Sequence, residues 1–307
     1  MTIGIAASGH GAGAAILEAL AGIEAIAEGA IGGFVSVAAL TRDGRIARAE
    51  IQRGGAQALL RAPLPPGLAE AARAVLMSSG PDRPEPLAQF TPAWPAVGLV
   101  TGHRFPNAWG VDGTPVSLAA LQRLEQDGDP QRAVDETLAL NPHADAGLIL
   151  LSAAGEVGIA NARLVRRHGD LGQAVRRTEE HVIAVIHNSI RPHGLLAELT
   201  IDLVARKMRR PATDTPTIRV AAGLVVSDAA ERSCIAVDGG RATALRIATL
   251  FNGDDPWSAG LGPRADVMAG DRLLGHACLD PFLVIRDRRL VSVDGRAVLD
   301  LPYCPVG

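Results

Sequence analysis

Two copies of one local pattern, a helix followed by a hairpin with a glycine turn, constrain the fold of the first half of the chain. The first copy comprises a helical period over 14–28 and apolar runs over 34–40 and 45–52. The second copy comprises helical patterns over 115–126 and 130–140 and a hairpin over 146–162. Asp43-Gly44 between apolar runs is a strong hairpin signal, so the pattern predicts a globular protein of mixed helix and strand.

The remaining segments are assigned from periodicity and from proline and glycine. We predict a strand over 2–7, a tight turn over 8–13, a helix over 67–77 within a proline-rich stretch, mainly helix over 170–208, and strands through 217–307 including 242–250. Residues 211–216 begin and end with proline and form the best linker. We therefore predict a core over residues 1–210 and a strand-rich C-terminal part over 211–307, packed onto the same domain.

Composition excludes several classes of function. Lys207 is the only lysine, and it lies far from any glycine loop, which argues against Schiff-base, pyridoxal-phosphate and P-loop chemistry. The net charge is −3, without a basic stripe, so nucleic acid is not an expected partner. The three cysteines are widely spaced and form no CxxC pair, which predicts free thiols, and no metal or cofactor is expected.

The apolar start of the chain is not predicted to enter a membrane. Glu18, Glu24 and Glu28 recur within it at near-helical spacing, and no positive region precedes it. We expect a cytoplasmic protein that acts on a small-molecule substrate, with self-association left open.

The turn Gly9-His10-Gly11-Ala12-Gly13 follows a strand and opens a helix. It fits the loose form of the dinucleotide fingerprint, and backbone N–H groups at such a helix start suit an anion. One hypothesis is therefore a nucleotide-dependent oxidoreductase that uses the Gly9–Gly13 loop. Two others are an enzyme that binds a substrate oxyanion there and a non-catalytic ligand-binding or assembly protein.

Hydroxyl and imidazole groups supply the catalytic candidates. Thr2 follows the initiator methionine, and removal of Met1 would leave a threonine whose own α-amino group can act as its base. Thr101 is a further hydroxyl in a strand. His10 and His103 follow the ends of two predicted strands, so they could converge on one cleft.

The second unit resembles a bacterial family of uncharacterised N-terminal-nucleophile (Ntn) hydrolases. The resemblance rests on the strand at 97–102, the asparagine-glycine loop at 107–116, the helix pair and the hairpin at 146–162. The alanine-rich helix and glycine-rich hairpin of the first unit are also similar to those of γ-glutamyltranspeptidases and isoaspartyl peptidases. The resemblance implies an α+β fold, a four-layer αββα sandwich, with hydrolysis of an amide or related C–N bond.

The resemblance also bears on which residue is predicted to be the nucleophile. Those transpeptidase-like families expose a threonine, serine or cysteine before a hairpin, whereas this chain has Ala144-Asp145-Ala146 and Ala30-Ile31-Gly32 at those places. Thr2 remains as the nucleophile. The predicted site has Thr2, His10 and Thr101 as catalytic residues, and its predicted substrate-binding residues are Ser8, Gly9, Gly11, His103, Arg104 and Asn107. Arg104 suits a substrate carboxylate.

Overall fold

The computed structural model describes residues 1–208, 215–248, 257–262 and 264–306. Contacts divide the chain into two compact units, Met1–Arg210 and Pro211–Gly307. The molecule is a mixed α/β protein that is rich in strands. No helix in the described ranges combines the length and the apolar character needed to span a membrane.

The first unit is built from two antiparallel sheets and five α-helices, all within residues 1–208. Its strands are β1 (Thr2–Ser8), β2 (Val35–Leu40), β3 (Ile46–Ile51), β4 (Arg73–Ser79), β5 (Ala93–Trp94), β6 (Gly98–Arg104), β7 (Ala146–Ser152), β8 (Val157–Asn161), β9 (Leu171–Arg177) and β10 (Val182–Asn188). Its helices are α1 (Ala12–Ile26), α2 (Gly55–Arg61), α3 (Val116–Asp127), α4 (Pro130–Leu140) and α5 (His193–Met208). The sheet orders are β3-β2-β4-β1-β10-β9 and β5-β6-β7-β8.

Three apolar cores show how these elements stack. Alternate residues of the six-stranded sheet, such as Ile3 and Ile5 of β1, pack on α1 and α5. Residues of the opposite face, such as Ala6, pack against Leu99 and Ile149 of the four-stranded sheet. The outer face of that second sheet packs on α3 and α4. The period of two along each strand therefore divides the side chains between a helix-facing core and a core between the sheets.

Glycine allows the two sheets to approach closely at β1 and β6. A Cβ atom placed on Gly4 would lie 2.5 Å from the carbonyl oxygen of Gly102, a contact that real Cβ atoms do not make. A Cβ atom on Gly147 of β7 would lie 2.2 Å from Nε2 of His103. The missing side chains thus set the gap between the sheets and make room for the His103 ring.

The predicted hairpins and most predicted helices of the first unit are confirmed. Strands β2 and β3 pair antiparallel, as do β7 and β8. Helix α4 begins as predicted, with Pro130 in its first turn and the Asp129 side chain accepting the N–H groups of Gln131 and Arg132.

Two predicted helices are wrong. Residues 73–79 form the buried strand β4, where a helix over 67–77 was predicted. Strands β9 and β10 occupy the first half of the range predicted as mainly helical over 170–208. Only α5 is helical in that range. Both strands β4 and β10 are short apolar runs covered on both faces, and such runs lack the alternation that would distinguish a strand from a buried helix.

The second unit is a barrel-like sheet. Its strands among the described residues are β11 (Thr217–Ala221), β12 (Val225–Asp228), β13 (Cys234–Asp238), β14 (Arg241–Ile247), β15 (Trp257–Gly260), β16 (Asp266–Ala269), β17 (Arg272–Ala277), β18 (Phe282–Arg286), β19 (Arg289–Val293) and β20 (Val298–Pro305). A parallel pairing of β11 with β14 links distant members of the sheet, which surrounds its own apolar core. Residues 211–214 of the predicted linker and 249–250 of the predicted strand lie outside the described residues.

Candidate active site

Thr2 lies at the beginning of the central strand of the six-stranded sheet. Strand β1 runs between β4 and β10, where Thr2 pairs with Ser79 on one side and with Asn188 on the other. Residues directly opposite each other in a sheet point to the same face, so the three side chains face the second sheet together. Thr2 is fully buried, and so is Ser79.

The Thr2 hydroxyl is held by a hydrogen bond from each sheet. Its Oγ1 donates to Oδ1 of Asn188 at 2.7 Å and accepts the backbone N–H of Arg104 at 2.6 Å. Asn188 ends β10 and Arg104 ends β6. The hydroxyl group is therefore fixed at the mouth of the gap between the two sheets.

Arg104 presents its N–H group from an unusual backbone conformation. Its φ is 63°, in the left-handed region that residues other than glycine seldom adopt. Its guanidinium forms a two-pronged ion pair with Asp145, with Nη2 2.9 Å from Oδ2. Asp145 therefore already occupies the guanidinium for which a substrate carboxylate was predicted, and the backbone of Arg104 makes the contact with Thr2. Strained backbone of this kind concentrates at functional sites.

The side-chain amide of Asn188 is held by further hydrogen bonds besides the one from Thr2. Its Nδ2 donates to Oγ of Ser189 at 3.0 Å, and the Ser189 hydroxyl donates to the Asp170 carboxylate. The bond from Ser189 holds the pKa of Asp170 below its usual value. These hydrogen bonds from Asp170 through Ser189 to Asn188 hold the amide in the orientation in which its oxygen faces the Thr2 hydroxyl.

His103 is buried in the same network, one amide away from Thr2. Its Nδ1 lies 3.2 Å from Oδ1 of Asn188, and its Nε2 lies 2.6 Å from Oδ1 of Asn161. Burial lowers the pKa of His103, so the ring is neutral at physiological pH and donates from one nitrogen only. The tautomer decides which of the two amide oxygens accepts the ring proton. His103 touches Asn188 rather than the hydroxyl, so it orients the amide that binds Thr2.

A groove of about 360 Å³ reaches the far side of this network. It runs between β8 and β9, and Asn161 and Gln173 are among its lining residues. Nδ2 of Asn161 donates to Oε1 of Gln173 at 3.0 Å across the groove. The groove therefore reaches the Asn161 amide, whose oxygen contacts the buried His103 ring.

Met1 precedes Thr2 and packs against residues 29–30. Its sulfur accepts the backbone N–H of Ala30 at 2.8 Å and lies against Gly29. Burial, followed by the positive charges of Arg83 and Arg104, lowers the pKa of the Met1 amino group. The beginning of the chain is thus a partly desolvated, electropositive environment, in which an amine favours its neutral form.

Arg83 is the cation of this environment that was not predicted. Its Nε donates a hydrogen bond to Oγ of Ser79 at 2.8 Å. Its backbone N–H donates to the side-chain oxygen of Gln52, and its backbone carbonyl accepts from the side-chain nitrogen of the same residue. The guanidinium lies 6.0 Å from the ring centre of Phe90. No carboxylate pairs with it in the part of the chain that the structure describes. Arg83 is therefore a fixed guanidinium beside Thr2 whose terminal nitrogens can receive an anion.

Most of the predicted glycine turn lies away from Thr2. Strand β1 has 7 residues, so Ser8, Gly9, His10 and Gly11 lie about 20 Å away at its other end. His10 is exposed there, so the expected convergence of His10 with His103 does not occur. A cleft of about 710 Å³ at this end of the sheet is lined by residues of the β2–β3 turn and of the 65–70 segment, not by the Thr2 network.

The glycines of that turn serve packing. Gly11 has a φ of 64° and caps α1, and a Cβ atom on Gly13 would lie 1.7 Å from the carbonyl oxygen of Leu68. Every strand pairing within residues 1–208 is antiparallel, and β1 pairs with β4 and β10. A dinucleotide-binding unit requires a parallel strand after its crossover helix, so the oxidoreductase hypothesis loses its structural basis.

Thr101 and Asn107 have structural partners instead of Thr2. The Thr101 hydroxyl donates to the carbonyl oxygen of Leu76 at 2.6 Å, which joins β6 to β4 across the gap between the sheets. Nδ2 of Asn107 donates to Oε1 of Gln89 at 2.7 Å. Of the predicted site residues, the structure therefore brings together Thr2, His103 and Arg104.

Asn188 and Arg83 are two residues near Thr2 that sequence reasoning missed. Asn188 ends the run Val-Ile-Ala-Val-Ile-His-Asn, and a polar residue at the end of a buried strand is a recognisable signal. The signal was hidden because this run was predicted as helix. Arg83 lies in the proline-rich stretch, where no pattern distinguishes it from other surface arginines.

His187 gives the site a predictable response to acid. The ring is fully buried, and neither nitrogen has a hydrogen-bond partner among the described residues. Burial, helped by His103 and His193, lowers the pKa of His187 to about 4 from 6.5. Between these values the unfolded chain takes up the proton and the folded one does not. Stability should therefore fall as the pH decreases from about 6.5 to about 4, by on the order of 3 kcal/mol.

Chemical denaturation at several pH values tests this response. His187→Leu keeps the volume and removes the titratable ring, so its stability should decline less steeply in the same interval. His143→Leu changes an exposed histidine and is the matched control. Equal slopes in wild type and His187→Leu would contradict the assignment.

Comparisons with known proteins give a family and a distant structural likeness. Residues 2–217 match the family model DUF6963, described as a domain of unknown function, and residues 223–298 match a second such domain, DUF7259. No curated protein matches the chain. A solved structure of glutamine phosphoribosylpyrophosphate amidotransferase from B. subtilis, complexed with ADP and GMP, is similar with a TM-score of 0.41 and 9% identity, over 94% of this chain and 48% of that chain. The chain thus spans about half the length of that protein.

Proposed function

This chain belongs to the family DUF6963, a domain of unknown function, and on that premise we propose that it hydrolyses a small-molecule amide or related C–N bond with Thr2 as nucleophile. The scaffold of this proposal is a four-layer αββα sandwich of the Ntn type. It is supported by the three stacked cores of the first unit. The observation that carries the function is the Thr2 hydroxyl, fixed between Asn188 and the Arg104 N–H at the start of the central strand.

The first step is hydrolysis of the peptide bond between Met1 and Thr2. Water adds across the bond, methionine leaves, and Thr2 gains a free α-amino group beside its own hydroxyl. While Met1 is present, its sulfur accepts the N–H group of Ala30 and lies against Gly29. Removal of Met1 frees both this N–H group and the space along Gly29. A substrate can then lie next to Thr2 Oγ1.

The second step is nucleophilic attack. Thr2 Oγ1 bonds to the carbonyl carbon of the substrate while the hydroxyl proton passes to the α-amino group, which later delivers it to the leaving nitrogen. The resulting ester is hydrolysed by water. The Ala30 N–H group is the candidate donor to the negative oxygen of the tetrahedral intermediate.

The positive charges around the site favour a neutral amine, which can act as the base, and an anionic substrate. Burial, followed by the positive charges of Arg83 and Arg104, lowers the pKa of the Met1 amino group, and we expect the same surroundings to favour a neutral amine on Thr2. Because the guanidinium of Arg104 is paired with Asp145 and that of Arg83 is open, Arg83 is the residue that would bind a carboxylate of the substrate.

The intact mass of the purified protein is the first test. A mass that lacks only Met1 is expected, together with one covalent adduct after incubation with an acylating β-lactone. Retained Met1 and no adduct would overturn the proposal. Two fragments would also overturn it and would identify a different nucleophile at the cut.

The pH dependence of this acylation follows from the charges. The amine must be neutral to accept the hydroxyl proton, so the rate should fall as the pH decreases through the pKa of the Thr2 amine. Arg83→Gln removes a positive charge that lowers the pKa of the Met1 amino group and is expected to act in the same way on the Thr2 amine. In Arg83→Gln, the fall of the acylation rate at acid pH should therefore begin at a higher pH than in the wild type.

Acylation rates measured across pH by intact mass test this shift. Arg53→Gln is the matched control, since Arg53 is an exposed arginine already paired with Asp82. An unchanged pH dependence in Arg83→Gln would show that the guanidinium does not act on the base.

A further inference from the structure

Two cysteines that are far apart in sequence meet at one edge of the second unit. Strands β17 and β20 pair antiparallel, with His276 opposite Cys304 and Ala277 opposite Tyr303. The backbone N–H of Cys278 continues this ladder by donating to the carbonyl oxygen of Pro302 at 2.9 Å. The strand register therefore holds Cys278 beside the end of β20.

The two thiols are in contact and open to solvent. The Sγ atoms of Cys278 and Cys304 lie 2.6 Å apart, and both residues are exposed. The third cysteine, Cys234, is half-buried on β13 and is in neither of these strands. Solvent access matters because an oxidant must reach the sulfur for a thiol to react.

We propose that Cys278 and Cys304 are a modification site, at which an intramolecular disulfide closes the loop of residues 279–303. The two thiols together lose two protons and two electrons and form one S–S bond. Hydrogen peroxide can take up both to give two waters, or glutathione disulfide can be reduced to two molecules of glutathione by thiol–disulfide exchange.

The crosslink has a defined structural consequence. Strand β20 pairs with β11 on one side and with β17 on the other, so it is attached to the rest of the sheet at both edges. A covalent link at the β17 edge restricts the unfolded chain and limits separation of β20 from β17. Amide hydrogen exchange in β20 should therefore be slower in the oxidised protein.

Cysteine counting on the full chain tests the proposal. The protein is incubated with excess glutathione disulfide, alkylated without reduction and weighed. One alkylated cysteine is expected, with a 278–304 crosslinked peptide after digestion, and dithiothreitol should restore three alkylated cysteines. Three alkylated cysteines before reduction, or a crosslink between two copies of the chain, would overturn it.

Single serine variants separate this pair from Cys234. Cys278→Ser and Cys304→Ser should each lose the internal crosslink, whereas Cys234→Ser should keep it and show no alkylated cysteine after oxidation. Loss of the crosslink in Cys234→Ser would assign the bond to a different pair. Because the readout is covalent mass, it does not depend on any enzymatic activity.

Discussion

Thr2→Ala is expected to abolish β-lactone labelling and to reduce amide hydrolysis by about 10³-fold or more, since it removes the attacking oxygen. Thr2→Ser keeps an oxygen at that place and should retain labelling. Hydrolysis is measured as amine release from small amides that carry a carboxylate and from their uncharged counterparts. The charged members should react faster if Arg83 binds the anion.

Thr101→Ala is the matched control for this experiment. Thr101 is another fully buried threonine in the gap between the sheets, and its hydroxyl bonds a backbone carbonyl instead of the Thr2 network. Its loss should cost about 1–3 kcal/mol of stability and leave labelling intact. Full labelling in Thr2→Ala, or loss of labelling in a folded Thr101→Ala protein, would contradict the assigned nucleophile.

Gly4→Ala is expected to destabilise the first unit by about 3 kcal/mol, near the upper end of typical overpacking effects. The added methyl group would lie 2.5 Å from the Gly102 carbonyl oxygen, which is backbone and cannot rotate away. The sheets must separate, and the Arg104 N–H group, two residues along β6 from Gly102, would move away from Thr2. Urea unfolding gives the loss of stability, and labelling gives the effect on the site.

Gly194→Ala is the matched control for Gly4→Ala. Gly194 lies in helix α5, where a Cβ atom would have no neighbour within 4 Å. Alanine there should be neutral or stabilising by up to about 1 kcal/mol, because it favours helix. A Gly4→Ala protein as stable as wild type would show that the gap between the sheets is not set by this glycine.

The first-unit fold was predictable where local signals are strong. The Asp43-Gly44 turn and the Asp129-Pro130 helix start depend on neighbours in sequence, and both occur as predicted. Strands β4 and β10 were misread because what makes them strands is their place on either side of β1. Such long-range pairing leaves no mark on the local pattern.

The candidate site was predictable only in part for the same reason. Thr2 and His103 were selected by their chemistry and by their position at strand ends, and the structure joins them through Asn188. Asn188 and Arg83 could not be paired with Thr2 until the order of the strands was known. His10 was misplaced because it follows the last residue of β1, whereas His103 lies beside Asn188, which pairs with the first residue of that strand.

The position of the Met1 sulfur on the Ala30 N–H group has a practical consequence for how this family is studied. A purification tag or fusion partner placed ahead of Met1 would keep Thr2 inside the polypeptide and leave the space beside it filled. If Thr2 is the nucleophile, as proposed, protein prepared in that way would lack the free amine and show no hydrolysis in a substrate screen. A test of the proposed activity therefore calls for a tag at the opposite terminus.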